Sequence, residues 1–289
     1  MQVHSRKIIL RAAKIEFERW ITDSRMILLV VLILFSYQSV TEPLLSMADK
    51  MNESLNMLEP FIALLNSPLL LLLIPMTFLT INSDFPRTEG NEIFSVSRIG
   101  RKEWLKAQIL FVVLAEGLFL LILFFSTLLP QIAASKWSFS WSLPVRQYAY
   151  YFPQEAKSYA VTLITGRMYN QTDVVEAALM GAVLQWMNLT MLSLLMLLFW
   201  NLKRKKTGMF TAAGIMGGGT AAAMLEGKLE WLFPSAHTTI YLHYTKLLRK
   251  PIFPIYLSVV YFALLISVLL ILNMVLIHKY DYLSNAQLN

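Results

Sequence analysis

Long apolar runs alternate with short polar stretches along this chain, and their spacing lays out its elements. A helix rising about 1.5 Å per residue needs roughly 20 residues to cross a hydrocarbon layer. Runs of that order occupy residues 26–45, 61–80, 107–129, 177–200 and 255–277, with a shorter one, rich in small residues, at 209–225. The pattern predicts an all-α integral membrane protein with six transmembrane helices. Pro68 and Pro75 fall inside the second run and predict a kink there. Ahead of the first run, residues 1–25 follow a helical period. Leu10, Ala13, Phe17, Trp20 and Ile21 share one face, while Lys7, Arg11, Lys14 and Glu18 share another. This is an amphipathic helix suited to a membrane surface, with Trp20 expected at headgroup level. A signal peptide is a poor fit, because the charged region is too long.

A charged island separates the second and third runs. Within residues 83–106 lie Asp84, Arg87, Glu89, Glu92, Arg98, Arg101, Lys102, Glu103 and Lys106. Each charge would cost about 2.5–3.5 kcal/mol at the centre of a membrane helix, so the island belongs in water or at the surface. Ile93, Phe94, Val96 and Ile99 form an apolar cluster inside it, which predicts a short surface helix able to dock on a soluble partner. Two further polar segments, 131–175 and 226–254, are substantial. The first carries Trp137, Trp141, Tyr148, Tyr150, Tyr151, Phe152, Tyr159 and Tyr169, which suits an interfacial aromatic belt over a small cap or, as the sharper reading, substrate contact. The second contains apolar pieces that suit a re-entrant element covered by other helices. With no internal repeat, residues 26–289 read as one membrane domain behind the helix at 1–25.

Composition agrees with a membrane location. Of the 289 residues, 56% are hydrophobic and 15% charged, against about 45–50% and 25% in soluble domains. Cysteine is absent, which excludes disulfides and thiolate sites. The formal charge of +7 could mean nucleic acid, but the distribution of basic residues says otherwise. With an inner N-terminus, sixteen of the 25 Lys and Arg fall on inner segments and nine on outer ones. The positive-inside rule then places both termini and the island in the cytoplasm, and nucleic-acid binding loses its support.

Catalytic patterns are missing. Gly217, Gly218 and Gly219 are not followed by Lys-Ser or Lys-Thr at phosphate-loop spacing, and no His-Glu-x-x-His or Gly-x-Ser-x-Gly occurs. His237 and His243, six apart on an outer segment, are poor metal-ligand candidates. Gly214, Gly218 and Ala222 instead form a small-xxx-small face that lets the fifth span approach a neighbour closely. Glu116 is the acid placed deepest in a span, and intramembrane carboxylates are functional candidates by default. Gln185 and Asn188, one turn apart in the fourth span, either face the same cavity or serve as interhelical glue.

The amphipathic N-terminal helix, the six spans, and the run Glu89-Gly90 … Ser97-Arg98-Ile99-Gly100-Arg101 … Trp104 … Lys106 together resemble the permease subunit of a bacterial ABC-2 type exporter. The resemblance covers nearly the whole chain. It implies that residues 1–25 are a connecting helix and that the island holds a coupling helix. Glu89, Gly90, Asn91, Glu92, Ile93, Phe94, Ser97, Arg98 and Arg101 would then meet a separate ATPase subunit, which binds ATP and Mg. No cofactor is expected in this chain, nor an ATPase activity of its own. A second permease chain, identical or paralogous, would complete the path for a hydrophobic or amphipathic cargo such as a peptide, drug or lipid. The plasma membrane and its lipid are the implied setting. The aromatic insert at 131–175 departs from the compact family pattern. Two other classes stay open: an intramembrane lipid-modifying enzyme or protease, and a proton-coupled secondary transporter using Glu116.

Overall fold

The computed structural model describes residues 2–87, 99–225, 228–245 and 251–279. The chain opens with α1 (Gln2–Ile21). Its apolar stripe does not stop at a membrane surface: Ala13 and Trp20 are fully buried. Trp20 packs with its ring 5.7 Å from Phe17 and 6.5 Å from Phe111. Asp23 then accepts a hydrogen bond from Arg25 N at 2.9 Å, capping the short turn that turns the chain into its first long helix. That helix, Ser24–Met51, comprises α2 (Ile27–Ser36), a π-helical stretch Tyr37–Thr41, and α3 (Glu42–Met51). Asn52 ends it in the left-handed conformation, which asparagine tolerates.

The second run is broken, not merely kinked. α4 (Glu59–Asn66) and α5 (Pro68–Ile81) meet at 81° across Ser67. Pro68 causes the break, because it lacks an N–H for the preceding turn and disfavours helical geometry at Ser67. Pro75 sits inside a helix that continues past it. α6 (Arg101–Leu128) follows, 28 residues long. At about 1.5 Å per residue it exceeds the ~30 Å hydrocarbon thickness, so its first charged turns extend beyond the apolar layer.

An outer set of short elements comes next: α7 (Leu143–Tyr151), α8 (Tyr159–Leu163) and α9 (Gly166–Tyr169). Two-residue strands β1 (Leu55–Asn56) and β2 (Ser135–Lys136) pair in parallel beneath them. α10 (Val174–Asn201) is the central helix, apolar almost all round and buried along most of its length. It packs against α4, α6, α11 (Lys205–Met224) and α13 (Ile255–Lys279). Edge-on ring pairs Phe61–Phe124 (5.1 Å) and Phe78–Phe119 (5.2 Å) bind the broken helix to α6. Asn201 donates to Asn273 Oδ1 at 2.8 Å and Asn273 donates to Leu194 O at 3.0 Å, joining α10 to α13.

The protein is mostly helical. Among the described residues, four helical stretches are long and apolar enough to cross a membrane: Ser24–Met51, Arg101–Gln131, Val174–Asn201 and Ile255–Ile277. The bent pair α4–α5 is jointly a fifth. α11 has 20 residues, but its glycines, alanines and two lysines make it less apolar than the others. Between α11 and α13 lie short turns and α12 (Pro234–Thr238). Residues of α12 and of Ile240–His243 are largely buried, so other helices cover this segment's backbone.

Candidate functional site

The docking residues Glu89, Gly90, Asn91, Glu92, Ile93, Phe94, Ser97 and Arg98 lie outside the described residues. The two stems of the island are described, and they are fixed firmly. On the first stem, Arg87 pairs with Asp23 at 2.7 Å, with only 17% and 15% of the two side chains exposed. Asp84 pairs with Arg25 at 2.5 Å, at 52% and 36% exposure, and Arg25 also donates to Ser83 Oγ at 2.8 Å. Lys205, at the start of α11, donates to Asp84 O at 2.5 Å and Pro86 O at 3.3 Å. On the second stem, Gly100 has φ +99°, a conformation that favours glycine, and Arg101 opens α6. Trp104 then packs on Trp200 at 4.9 Å, and Phe85 on Phe111 at 5.7 Å. The base of the island thus touches the α1–α2 junction, the end of α5, the start of α6 and the α10–α11 turn.

The interior candidates divide into two places. Glu116 of α6 is fully buried and accepts hydrogen bonds from Thr190 Oγ1 (2.5 Å) and Ser193 Oγ (2.8 Å) of α10. Gln185 and Asn188 occupy the other side of α10. Each stands five residues from one of those hydroxyls, about 140° around the helix. Asn188 Nδ2 lies 3.8 Å from Met216 Sδ on α11. Asn188 Oδ1, Gln185 Nε2, Thr220 Oγ1, Ser235 Oγ and Ser67 Oγ are all buried polar atoms that find no partner among the described residues. They belong to α10, α11, α12 and the α4–α5 break, which meet here: Ile240 N donates to Asn66 Oδ1 at 2.7 Å, and Leu71, Ala223, Ala236 and Leu242 form one apolar cluster. Glu116 is therefore not part of the Gln185–Asn188 site.

Close packing of α11 uses other small residues than Gly214, Gly218 and Ala222. A Cβ on Gly208 would lie 2.5 Å from Phe199, and one on Gly219 would lie 2.6 Å from Ser235 Oγ and 2.9 Å from Phe233 Cβ. One on Gly218 would make ordinary contact with Phe233 at 3.6 Å, and one on Gly214 would meet nothing within 4 Å. Gly214 and Gly218 face outward and Ala222 is half-buried. Gly214 in particular meets no close neighbour among the described residues.

At the other end, Glu59 organises the outer cap. Fully buried at the start of α4, it accepts from Ser142 N (2.7 Å), Ser142 Oγ (2.8 Å) and Asn56 N (3.0 Å). Asn56 Nδ2 in turn donates to Ser138 O and Ser140 O, and Gln131 Nε2 to Met57 O. Trp141 and Tyr148 are buried in the cap, whereas Trp137, Phe139, Tyr150 and Tyr151 are exposed. Glu155 accepts from Lys50 Nζ (2.8 Å) and Tyr148 OH (2.5 Å). Those donors, Lys50 above all, hold its carboxyl below the ordinary value. His237 and His243 are both buried. His237 Nδ1 meets Ser258 Oγ at 2.8 Å and its Nε2 meets Trp231 O at 2.9 Å, while His243 Nδ1 meets Phe253 O at 2.7 Å. His237 fastens the segment between α11 and α13 to Ser258 of α13, and His243 ties that segment to its own Phe253.

No protein-family model, curated protein or solved structure matches this chain. Sequence reasoning overlooked Asp23, Thr190, Ser193 and Glu59. The hydroxyls at 190 and 193, spaced one turn apart in an apolar run, were the available signal for a carboxylate partner.

Proposed function

We propose that this chain is the transmembrane permease subunit of an ABC-2 type exporter, working with a separate ATPase and a second permease chain in the plasma membrane. The observation that carries the proposal is the clamped base of the charged island. A partner pushing on residues 88–98 would act at once on α1, α2, α5, α6 and the α10–α11 turn, because ion pairs and stacked rings connect all of them there. That is the mechanical requirement for a chain that receives work from a partner's ATP hydrolysis.

The layout supports six crossings. Segments 20–26, 82–87, 100–106 and 200–205 contact one another at one end, and segments 50–59, 131–174, 244–245 and 251–255 gather at the other. In this reading α4–α5 is a broken second crossing and α11, about 30 Å long, is the fifth. Both termini and the island are cytoplasmic, following the basic residues. Gln185, Asn188 and their unpartnered neighbours supply polar groups beside the broken crossing, where irregular backbone lines a path. The outward Gly214–Gly218 face of α11 suits the second permease chain. The cargo class is hydrophobic or amphipathic.

Within the island, Ile93 and Phe94 are the apolar anchors this reading assigns to the ATPase contact, with Glu89, Glu92, Arg98 and Arg101 as its charged rim. Phe94→Ala should weaken ATPase binding about thirtyfold, the equivalent of roughly 2 kcal/mol, while leaving membrane insertion intact. Pull-down of the partner ATPase and cargo-stimulated hydrolysis in vesicles measure this. Unchanged binding and coupling in both Phe94→Ala and Ile93→Ala would remove the proposal's basis. The buried Glu116 favours a second reading, a proton-coupled transporter. In that case Glu116→Gln would abolish uptake driven by a proton gradient without any ATPase.

A further inference from the structure

α6 carries a glycine, Gly117, in the middle of its apolar length, and a Cβ there would meet nothing within 4 Å. A helix-interior glycine is less stable than alanine by about 0.5–1 kcal/mol, a conversion of roughly two- to fivefold. No close neighbour requires its lack of a side chain. What it does is keep a furrow open. Two apolar grooves run along the outer face of α6, of about 480 and 700 Å³, and Gly117, Leu121 and Trp186 line both. The first continues toward the outer cap, past Phe61, Phe124 and Trp137. The second continues toward α1, where Leu10, Ala13, Phe17 and Lys14 close it. Gly117 lies at the junction, so the two form one furrow running from α1 to the cap.

The only charge among the lining residues is Lys14, at the α1 end. Lys14 stands on the helical stripe that also carries Lys7 and Arg11, both exposed. Glu18, 3.6 Å away, is its exposed acidic neighbour. Basic groups therefore outnumber acids on that stripe. An apolar furrow with a basic cluster at one end matches the acyl chain and headgroup of an anionic phospholipid. We infer that this furrow is a specific phospholipid site, with an acyl chain lying across Gly117 and an anionic headgroup on Lys14 and Arg11. The inference does not depend on the exporter reading.

The test uses the full chain in nanodiscs. Brominated phosphatidylglycerol or brominated phosphatidylcholine is mixed into the bilayer at matched fractions, and quenching of tryptophan fluorescence is measured alongside the lipid retained after detergent extraction. The wild type should retain phosphatidylglycerol in preference, by about fivefold for each basic residue engaged, with quenching of the Trp186 signal defined by comparison with Trp186→Phe. Gly117→Leu should abolish retention and quenching, because it fills the junction. Gly117→Ala, which adds one methyl in open space, should keep its fold and most of its retention, and controls for helix effects. Lys14→Gln with Arg11→Gln should bind both lipids equally. Retention of both lipids alike by the wild type, or retention unaffected by Gly117→Leu, overturns the assignment. So does efficient cross-linking of Leu121→Cys between two copies in the bilayer, which would mean a second chain covers the furrow.

Discussion

Replacing Asp23 with alanine tests how the island's base is held. Asp23 does two jobs: its carboxylate pairs with Arg87 at 2.7 Å and caps Arg25 N at 2.9 Å. Losing an N-cap costs about 0.5–2 kcal/mol. Stranding one partner of a fully buried ion pair costs about 3–5 kcal/mol, and because some 15–17% of each side chain is exposed here, roughly 2 kcal/mol is the fitting figure. The two together come to about 3 kcal/mol. The neighbouring pair is shorter at 2.5 Å, yet 36% of Arg25 and 52% of Asp84 are exposed. Such pairs contribute about 0–1 kcal/mol. Burial, not distance, therefore decides which pair matters. Thermal unfolding in one detergent, followed by tryptophan fluorescence, should show Asp23→Ala melting roughly 6–12 °C low and Asp84→Ala at most about 4 °C low, at about 2–4 °C per kcal/mol. The double variant Asp23→Ala with Arg87→Ala should melt above the sum of the single losses, since the stranded guanidinium is gone. Equal shifts for Asp23→Ala and Asp84→Ala, or strictly additive losses in the double variant, would refute the clamp. In the reconstituted complex, Asp23→Ala should keep ATPase binding but lose coupled transport.

The outer cap, the fifth helix and the acid limit give three further expectations. Glu59→Ala leaves one buried donor, Asn56 N, and two partly buried ones, Ser142 N and Oγ, without their acceptor, at up to about 1–3 kcal/mol for the buried one, so limited proteolysis should cut residues 132–173 that are protected in the wild type; equal protection would mean the carboxylate is not the cap's latch. Gly219→Val should fail to yield folded protein because its Cβ would lie within 2.9 Å of Phe233 Cβ and Ser235, whereas Gly214→Val should fold normally and alter only self-association, as read by size-exclusion with light scattering. Glu155's folded pKa is depressed by Lys50 and Tyr148, so its contribution is complete above its unfolded value of about 4.3 and is lost as pH falls through the lower folded value; cap proteolysis should rise only at more acid pH, and Glu155→Gln should flatten that dependence.

What could be read from the chain was what depends on local period. The positions of α1, α6, α10 and α13 follow from runs of apolar residues, and the site of the break between α4 and α5 follows from Pro68. How sharply the chain bends there was not legible, since 81° is set by what α11 and α12 pack into the corner. The same holds for Trp20. Its period placed it on the apolar face of α1, but only the tertiary partner Phe111, from a helix some 90 residues away, decided that this face is buried against protein. Asp23 and Arg87 are 64 positions apart, and no local rule joins them.

The two polar places on α10 show why residue type alone misassigns an interior site. Glu116, Gln185 and Asn188 were grouped because all three are polar within apolar runs. Helical geometry separates them: Thr190 and Ser193 turn toward α6 and meet the carboxyl, while Asn188 meets Met216 of α11. The first arrangement is satisfied, with both carboxyl oxygens accepting hydroxyl hydrogen bonds. The second holds buried polar atoms without partners among the described residues. Buried polar groups are costly unless hydrogen-bonded, so the two places differ in how their polar groups are held. If the exporter proposal is right, substitutions at Gln185, Asn188 and Thr220 should change which cargo stimulates hydrolysis, and Glu116→Gln should change only the stability of the α6–α10 contact.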